Sequence, residues 1–163
     1  MKSLFWFQAA VLFYIYLGYP LLLWVWAQCA PRPVRKDPFF TTVSILLSAY
    51  NEEKVIAQKI ENLLALDYPA EKREILVGSD GSTDETPARV KPYLSKGVTL
   101  VVAQKREGKA AMLNRLVQKA RGEIVVFTDA RQRIDREALT HLVRPFSDPA
   151  VGGVSGELVF EKA

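Results

Sequence analysis

From Leu4 to Ala27 the chain runs for 24 positions without a charged side chain, and Gln8 is the only strongly polar residue among them. As a helix rising about 1.5 Å per residue, this run is roughly 36 Å long, enough to cross a hydrocarbon core of about 30 Å with some tilt. Trp6, Tyr14, Tyr16, Tyr19, Trp24 and Trp26 include aromatics near both ends, where amphipathic rings favour the membrane interface. Gly18 and Pro20 are tolerated in such a helix and can kink it. Residues 4–27 therefore predict a transmembrane helix. A cleaved signal peptide is the competing reading, because Ala27-Gln28-Cys29-Ala30 carries small residues that a peptidase accepts. The apolar run exceeds the about 15 residues of a signal core, which favours the span.

Lys2 precedes the run, whereas Arg32, Arg35 and Lys36 follow it closely, so the positive-inside bias puts the C-terminal part on the cytoplasmic side. Of the formal charge of +4, residues 1–37 hold +3 and residues 38–163 only +1. The basic flank thus reads as a topology signal and a contact for anionic headgroups. A nearly neutral remainder without a base-stacking motif argues against nucleic acid as a partner. Cys29 is the one cysteine, which excludes an intrachain disulfide scaffold and a Cys-ligated zinc ribbon.

Beyond a Pro-containing linker (residues 28–40) the hydrophobic period changes, and residues 41–163 read as one domain. Val43 to Ala49 suits a strand buried on both faces. Ile56, Ile60, Leu63 and Leu64 fall at helical spacing, and Asp67-Tyr68-Pro69 ends that helix. Glu74–Ser79, Val98–Val102 and Glu123–Thr128 predict three further strands. Between them lie a helix from Thr83 to about Lys96, disturbed by Pro92, and one from Lys109 to Arg121. The second of these shows Leu113, Leu116, Val117 and Ala120 on one face, with Gly122 placed to end it. Asp135 caps a helix through Phe146, and Val151–Phe160 predicts another strand. Regular alternation of strand and helix implies an α/β fold: a mostly parallel sheet with helices on both faces and ligands bound beyond the carboxyl ends of the strands.

Those ends carry acids. The first strand leads into Tyr50-Asn51-Glu52-Glu53, the second into Asp80-Gly81-Ser82-Thr83-Asp84 and the fourth into Asp129-Ala130-Arg131. Neither the Gly-rich dinucleotide turn nor the P-loop Gly-Lys-Ser/Thr pattern is present, which disfavours a Rossmann oxidoreductase. Carboxylates repel a diphosphate unless a divalent cation lies between them, and hard oxygen ligands suit Mg²⁺ or Mn²⁺. A carboxylate can also accept a hydrogen bond from a base or ribose. Taken singly, Asp80 could equally be a turn residue, Asp84 a helix cap and Asp129 another turn acid.

Val43 through Glu53, Ser79 through Asp84, Arg106-Glu107-Gly108-Lys109-Ala110-Ala111-Met112-Leu113-Asn114 and Phe127 through Arg131 together resemble the family 2 glycosyltransferases of GT-A fold, over roughly residues 41–160. The resemblance implies a Rossmann-like nucleotide-binding half and transfer, with inversion, of a sugar from a nucleotide diphosphate, most often a UDP-sugar, to a glycan or lipid acceptor. It implies that Ala49, Tyr50, Asn51 and Glu52 lie under base and ribose and that Asp80 accepts the uracil imide N–H. Gly108 and Lys109 would lie near the donor, with Lys109 facing phosphate, while Asn114 would help fix its helix. Asp129 matches the first acid of the family's Asp-any-Asp metal motif.

The third position of that motif is Arg131, a departure, since a guanidinium cannot coordinate a cation. Arg131 could pair with the diphosphate, supplying charge where the metal ligand is missing; alternatively Asp129 holds Mg²⁺ or Mn²⁺ together with phosphate oxygens, water and a group outside this chain. The acid that serves the family as general base is not matched by Asp148, Glu157, Glu161 or His141, and is expected beyond Ala163, with the acceptor half. A non-catalytic, membrane-tethered nucleotide-binding fragment is the rival reading.

Overall fold

The computed structural model describes residues 2–159, which form two units, one ending at Val34 and one beginning at Arg35. In the first, α1 (Lys2–Phe13), a π-helical turn (Tyr14–Gly18) and α2 (Tyr19–Cys29) make one continuous helix. It is long and apolar enough to cross a membrane, and none of its side chains is buried. Pro20 has no N–H for the preceding turn, and the Tyr19 N–H reaches back five residues to the Tyr14 carbonyl. The proline and glycine thus widen the winding locally without breaking the helix.

The second unit is built on β1 (Val43–Ala49), β2 (Arg73–Asp80), β3 (Val98–Ala103) and β4 (Ile124–Thr128), all parallel, in the order β3-β2-β1-β4. Between them stand α3 (Ile56–Leu64), α4 (Thr86–Val90) and α5 (Lys109–Val117), and α6 (Ala138–Val143) follows β4. Val43, Ile45, Leu47 and Ala49 point to one face of β1, where Ile56, Ile60 and Leu63 of α3 meet Val90, Tyr93, Leu139 and Val143. Leu46 and Leu76 point to the other face and take Met112 and Leu116 of α5. Full burial of such a side chain stabilises by about 1.5–3 kcal/mol. A central strand apolar on both faces is what the unbroken run from Val43 foreshadows.

α3 stops where the guanidinium of Arg73 donates to the carbonyls of Leu63, Leu64 and Leu66 at 3.2, 2.6 and 2.8 Å, satisfying helix-end acceptors that have no partner within the helix. α4 begins at Thr86 with Pro87 in its first turn and gives way to a 3₁₀ stretch, Lys91–Lys96, at Pro92.

Four expectations need correction. α5 ends at Val117 rather than Arg121, and Val117 is exposed while Met112 is buried. The reason is Gly78, which leaves a hollow on the sheet: a Cβ there would lie 2.4 Å from the Met112 sulfur. Gly122 does not end the helix. It lets the chain pass β1, where a Cβ would lie 2.5 Å from the Ser44 nitrogen, and its N–H donates to Ser44 Oγ at 2.8 Å. Residues 151–159 form no strand; Gly152, Gly153 and Gly156 lower strand propensity, and Val154, Leu158 and Val159 are exposed. The last residue of the expected strand, Phe160, and Glu161 lie outside the described residues. Asn114 has an exposed side chain, and α5 is held by Met112 and Leu116. The helix expected from Asp135 through Phe146 is found as α6, entered at Glu137, followed by a 3₁₀ turn, Arg144–Ser147; Asp135 stands ahead of it, its Oδ1 accepting the Glu137 N–H at 2.9 Å.

Candidate functional site

The chain passes from β1 through β2 to β3 in one direction and then returns to the other side of β1 with β4. Strand order therefore reverses between β1 and β4, and the loops leaving the two strands diverge to open a crevice at their carboxyl ends. Four loops meet there: residues 50–55, 81–85, 104–108 and 129–132.

The first two are laced together. Asn51 takes a left-handed backbone (φ 54°), which asparagine tolerates better than most residues, and its Oδ1 accepts the Thr83 N–H at 2.9 Å. The Asn51 N–H donates to Ser82 Oγ (3.2 Å), the Glu52 N–H to buried Thr86 Oγ1 (2.8 Å) and the Glu53 N–H to Asp84 Oδ2 (3.1 Å). Glu53 Oε2 accepts the Glu85 N–H in return, at 3.0 Å. The little burial at Asp84 acts to raise its carboxyl, but hydrogen bonds from Thr86 and from the Glu53 N–H outweigh it and hold the group below the usual carboxylate range. Asn51 and Asp84 thus fasten one loop to the other.

Asp80, at the end of β2, is 2% exposed. Its Oδ1 accepts the Glu107 N–H and its Oδ2 the Gly108 N–H, each at 2.8 Å, so one carboxylate fixes the entry to α5. Each oxygen keeps lone-pair capacity for a further donor. Gly81 follows with φ 65°, and a Cβ there would lie 2.3 Å from the Arg106 backbone nitrogen, so only glycine lets the third loop close on the second. The Arg106 guanidinium lies 4.2 Å from the centre of the half-exposed Tyr50 ring, a cation–π contact. Arg106 was legible as part of a motif but not as a partner of Tyr50.

Two ion pairs cross the crevice. Arg131 Nε donates to Glu52 Oε1 and Oε2 at 3.0 and 3.2 Å, joining the β4 loop to the β1 loop. Lys109 Nζ lies 2.5 Å from Asp129 Oδ1, joining the start of α5 to the β4 loop. With side chains 56% and 49% exposed, the Lys109–Asp129 pair contributes roughly 0–1 kcal/mol and is readily exchanged for another partner. An open pocket of about 450 Å³ borders Glu52, Asp84 and Arg131. The structure thus brings Tyr50, Asn51, Glu52, Asp80, Gly108, Lys109, Asp129 and Arg131 to one sheet edge, with Ala49 in register with Ser79 just beneath. His141 lies exposed on α6, and Asp148 is tied to the Ala150 and Arg35 N–H groups at 3.0 and 3.4 Å.

Lys59 escaped the sequence reading. It is 3% exposed on the inner face of α3, and its ammonium donates to Thr128 Oγ1 at 2.8 Å and the Gln132 carbonyl at 2.6 Å, bracketing Asp129 and Arg131. Burial lowers the ammonium to about 8, while the negative charge of Asp129 works in the opposite direction. The one available signal was its position: Ile56, Lys59, Ile60 and Leu63 form a single apolar stripe with a lysine inside it.

Among the described residues, no group of three or more His, Cys, Asp or Glu side chains could hold a metal ion. Asp129 alone represents the metal motif. A single carboxylate suits Mg²⁺ or Mn²⁺ where phosphate oxygens and water supply the other ligands.

Comparison with known proteins bears on the fold and the family. Beta-monoglucosyldiacylglycerol synthase of Nostoc sp. is 38% identical over 133 residues, covering 76% of this chain and 28% of that protein. The chain therefore spans little more than a quarter of this relative's length. Among solved structures, the mannosyltransferase PcManGT from Pyrobaculum calidifontis, in complex with GDP-Man and Mn²⁺, superposes with a TM-score of 0.74 at 36% identity, covering 88% of this chain and 44% of that one. Staphylococcus aureus TarS 1–349 in complex with UDP-GlcNAc matches with a TM-score of 0.56 at 30% identity, over 60% of this chain and 29% of that one. The sequence pattern of glycosyl transferase family 2 matches residues 44–162, and the chain belongs to that family.

Proposed function

We propose that the chain carries the donor-binding part of a membrane-anchored, inverting glycosyltransferase that takes a sugar from a nucleotide diphosphate, with a UDP-sugar as donor and a lipid or glycan as acceptor. The observation that carries this reading is the convergence of Glu52 from the β1 loop, Asp80 from the end of β2, Lys109 from the start of α5 and Asp129 and Arg131 from the β4 loop on the strand-order reversal. Lys109 and Arg131 face the diphosphate, and Asp80 shares its remaining lone pairs with the imide N–H of the base. Tyr50, Asn51 and Glu52 lie under base and ribose, with Ala49 and Gly108 letting the ligand approach closely. The bound donors named for PcManGT and TarS share a nucleotide diphosphate, which supports the class while leaving the choice of base to Asp80 and its neighbours.

In this reading Asp129 would hold Mg²⁺ or Mn²⁺ together with donor phosphate oxygens, and such a cation would supply positive charge to the diphosphate. The Mn²⁺ named with PcManGT supports it. The lipid product in the Nostoc relative's name supports a lipid acceptor, as does the apolar helix over residues 4–27, with Arg32, Arg35 and Lys36 marking the cytoplasmic side.

Isothermal titration of the 163-residue chain in detergent with UDP and GDP, each with Mn²⁺ and with a chelator, tests this. UDP is expected to bind, and to bind more weakly under chelator. Failure of both nucleotides to bind the folded chain overturns the reading. Affinity indifferent to chelator removes the metal from it.

A further inference from the structure

Asp129 and Arg131 lie on a tight turn in which the Gln132 N–H returns to the Asp129 carbonyl at 3.3 Å and the Asp129 N–H meets Gln132 Oε1 at 3.4 Å. These are long bonds, too weak alone to fix where two exposed side chains point. The firm contact comes from behind. Lys59 reaches from α3 through the core and binds both ends of the turn, through Thr128 Oγ1 and the Gln132 carbonyl. α3 also grips the chain just beyond, where Asn62 Nδ2 donates to the Ile134 carbonyl (2.8 Å) and Asn62 Oδ1 accepts the Ile134 N–H (2.9 Å).

A buried ammonium is a costly way to secure a turn. An apolar side chain of similar length would fill the space without the desolvation penalty, and a backbone turn can be closed by neutral groups. Lys59 shares the buried face of α3 with Ile56, Ile60 and Leu63, and its charge is delivered where the chain carries the proposed diphosphate-binding groups. Its burial restricts it to a few rotamers, which suits it to hold a loop in one place.

We propose that Lys59 is a positioning residue for donor binding: it holds the Thr128–Gln132 turn so that Asp129 and Arg131 face the nucleotide diphosphate, and it places a fixed positive charge behind them. The inference rests on the donor-binding reading above and adds to it a residue outside the family motifs quoted for this chain.

The test is Lys59→Met, which keeps an unbranched stem and removes the ammonium. The full chain in detergent is titrated, in the presence of Mn²⁺, with whichever of UDP and GDP the wild type binds and with the matching monophosphate. Amide hydrogen exchange of residues 129–132 is followed in the nucleotide-free protein. The diphosphate dissociation constant is expected to rise about tenfold or more, as when a partner that orients a metal-ligating side chain is removed. Monophosphate binding should change little, and exchange in the turn should quicken while β1 and β2 keep their protection. An unchanged diphosphate affinity overturns the inference, as does an equal loss for both nucleotides, which marks a general structural role. A wild type that binds neither diphosphate overturns the donor-binding reading and this inference with it, so the two failures are distinguishable.

Discussion

Lys59 shows what a single residue can demand of a fold. The unfolded chain holds its proton up to about 10.5, the folded chain only to about 8. Below pH 8 both states are protonated, and the folded state bears the full cost of the buried ammonium, on the order of 3 kcal/mol. Between about 8 and 10.5 the unfolded state binds more protons, so stability rises with pH across that window and levels off above it. Tyr93, raised by the hydrogen bond its hydroxyl donates to the Glu61 carboxylate, and Tyr68, raised by burial, act in the opposite sense above pH 10. Urea denaturation from pH 7 to 10 should therefore show Lys59→Met losing the rising component, while the tyrosine contribution cancels in the difference between the two proteins. At this scale the sequence marks which polar residues follow the strands but not the partners they take. Acids after successive strands stand out in one dimension. Nothing local in the sequence tells that Glu52 pairs with Arg131 across 79 positions, or Lys109 with Asp129 across 20.

At the scale of elements, β1 was legible because a parallel strand buried on both faces is a continuous apolar run, and the edge strands β3 and β4, where Val102 and Phe127 are exposed, still carry enough apolar residues to stand out. Helix phase was harder. On α5 the apolar residues suggested a face containing Val117, but the hollow over Gly78 selects Met112, and that hollow is visible only once sheet and helix are packed. The expected strand from Val151 rested on scattered apolar residues, which three glycines interrupt. Gly81 is the joint between elements. Gly81→Ala adds a methyl group against the Arg106 backbone and places an L-residue in the left-handed region, which alone costs roughly 1–2 kcal/mol. Gly97→Ala is the control, since Gly97 has φ 83° but nothing within 4 Å of its would-be Cβ. Chemical denaturation should show Gly81→Ala the less stable of the two. It should also weaken diphosphate binding, because the displaced third loop carries the Glu107 and Gly108 N–H groups away from Asp80.

The whole molecule is an apolar helix and an α/β unit, each legible from composition and period. The helix makes a direct prediction: a charge near its middle, Ile15→Arg, costs about 2.5–3.5 kcal/mol of membrane insertion. Membrane fractionation should therefore show a smaller membrane-bound share for the variant, and an unchanged share would count against a spanning role. The winding of the helix has a further consequence. Because Tyr14–Gly18 takes a wider turn than its neighbours, side chains from Tyr19 onward are rotated about the axis relative to those before Phe13. A companion helix that tracks one seam along the first half loses that seam in the second. Any helix that packs along it must therefore engage the two halves through different sides, as two short contacts in place of one continuous zipper.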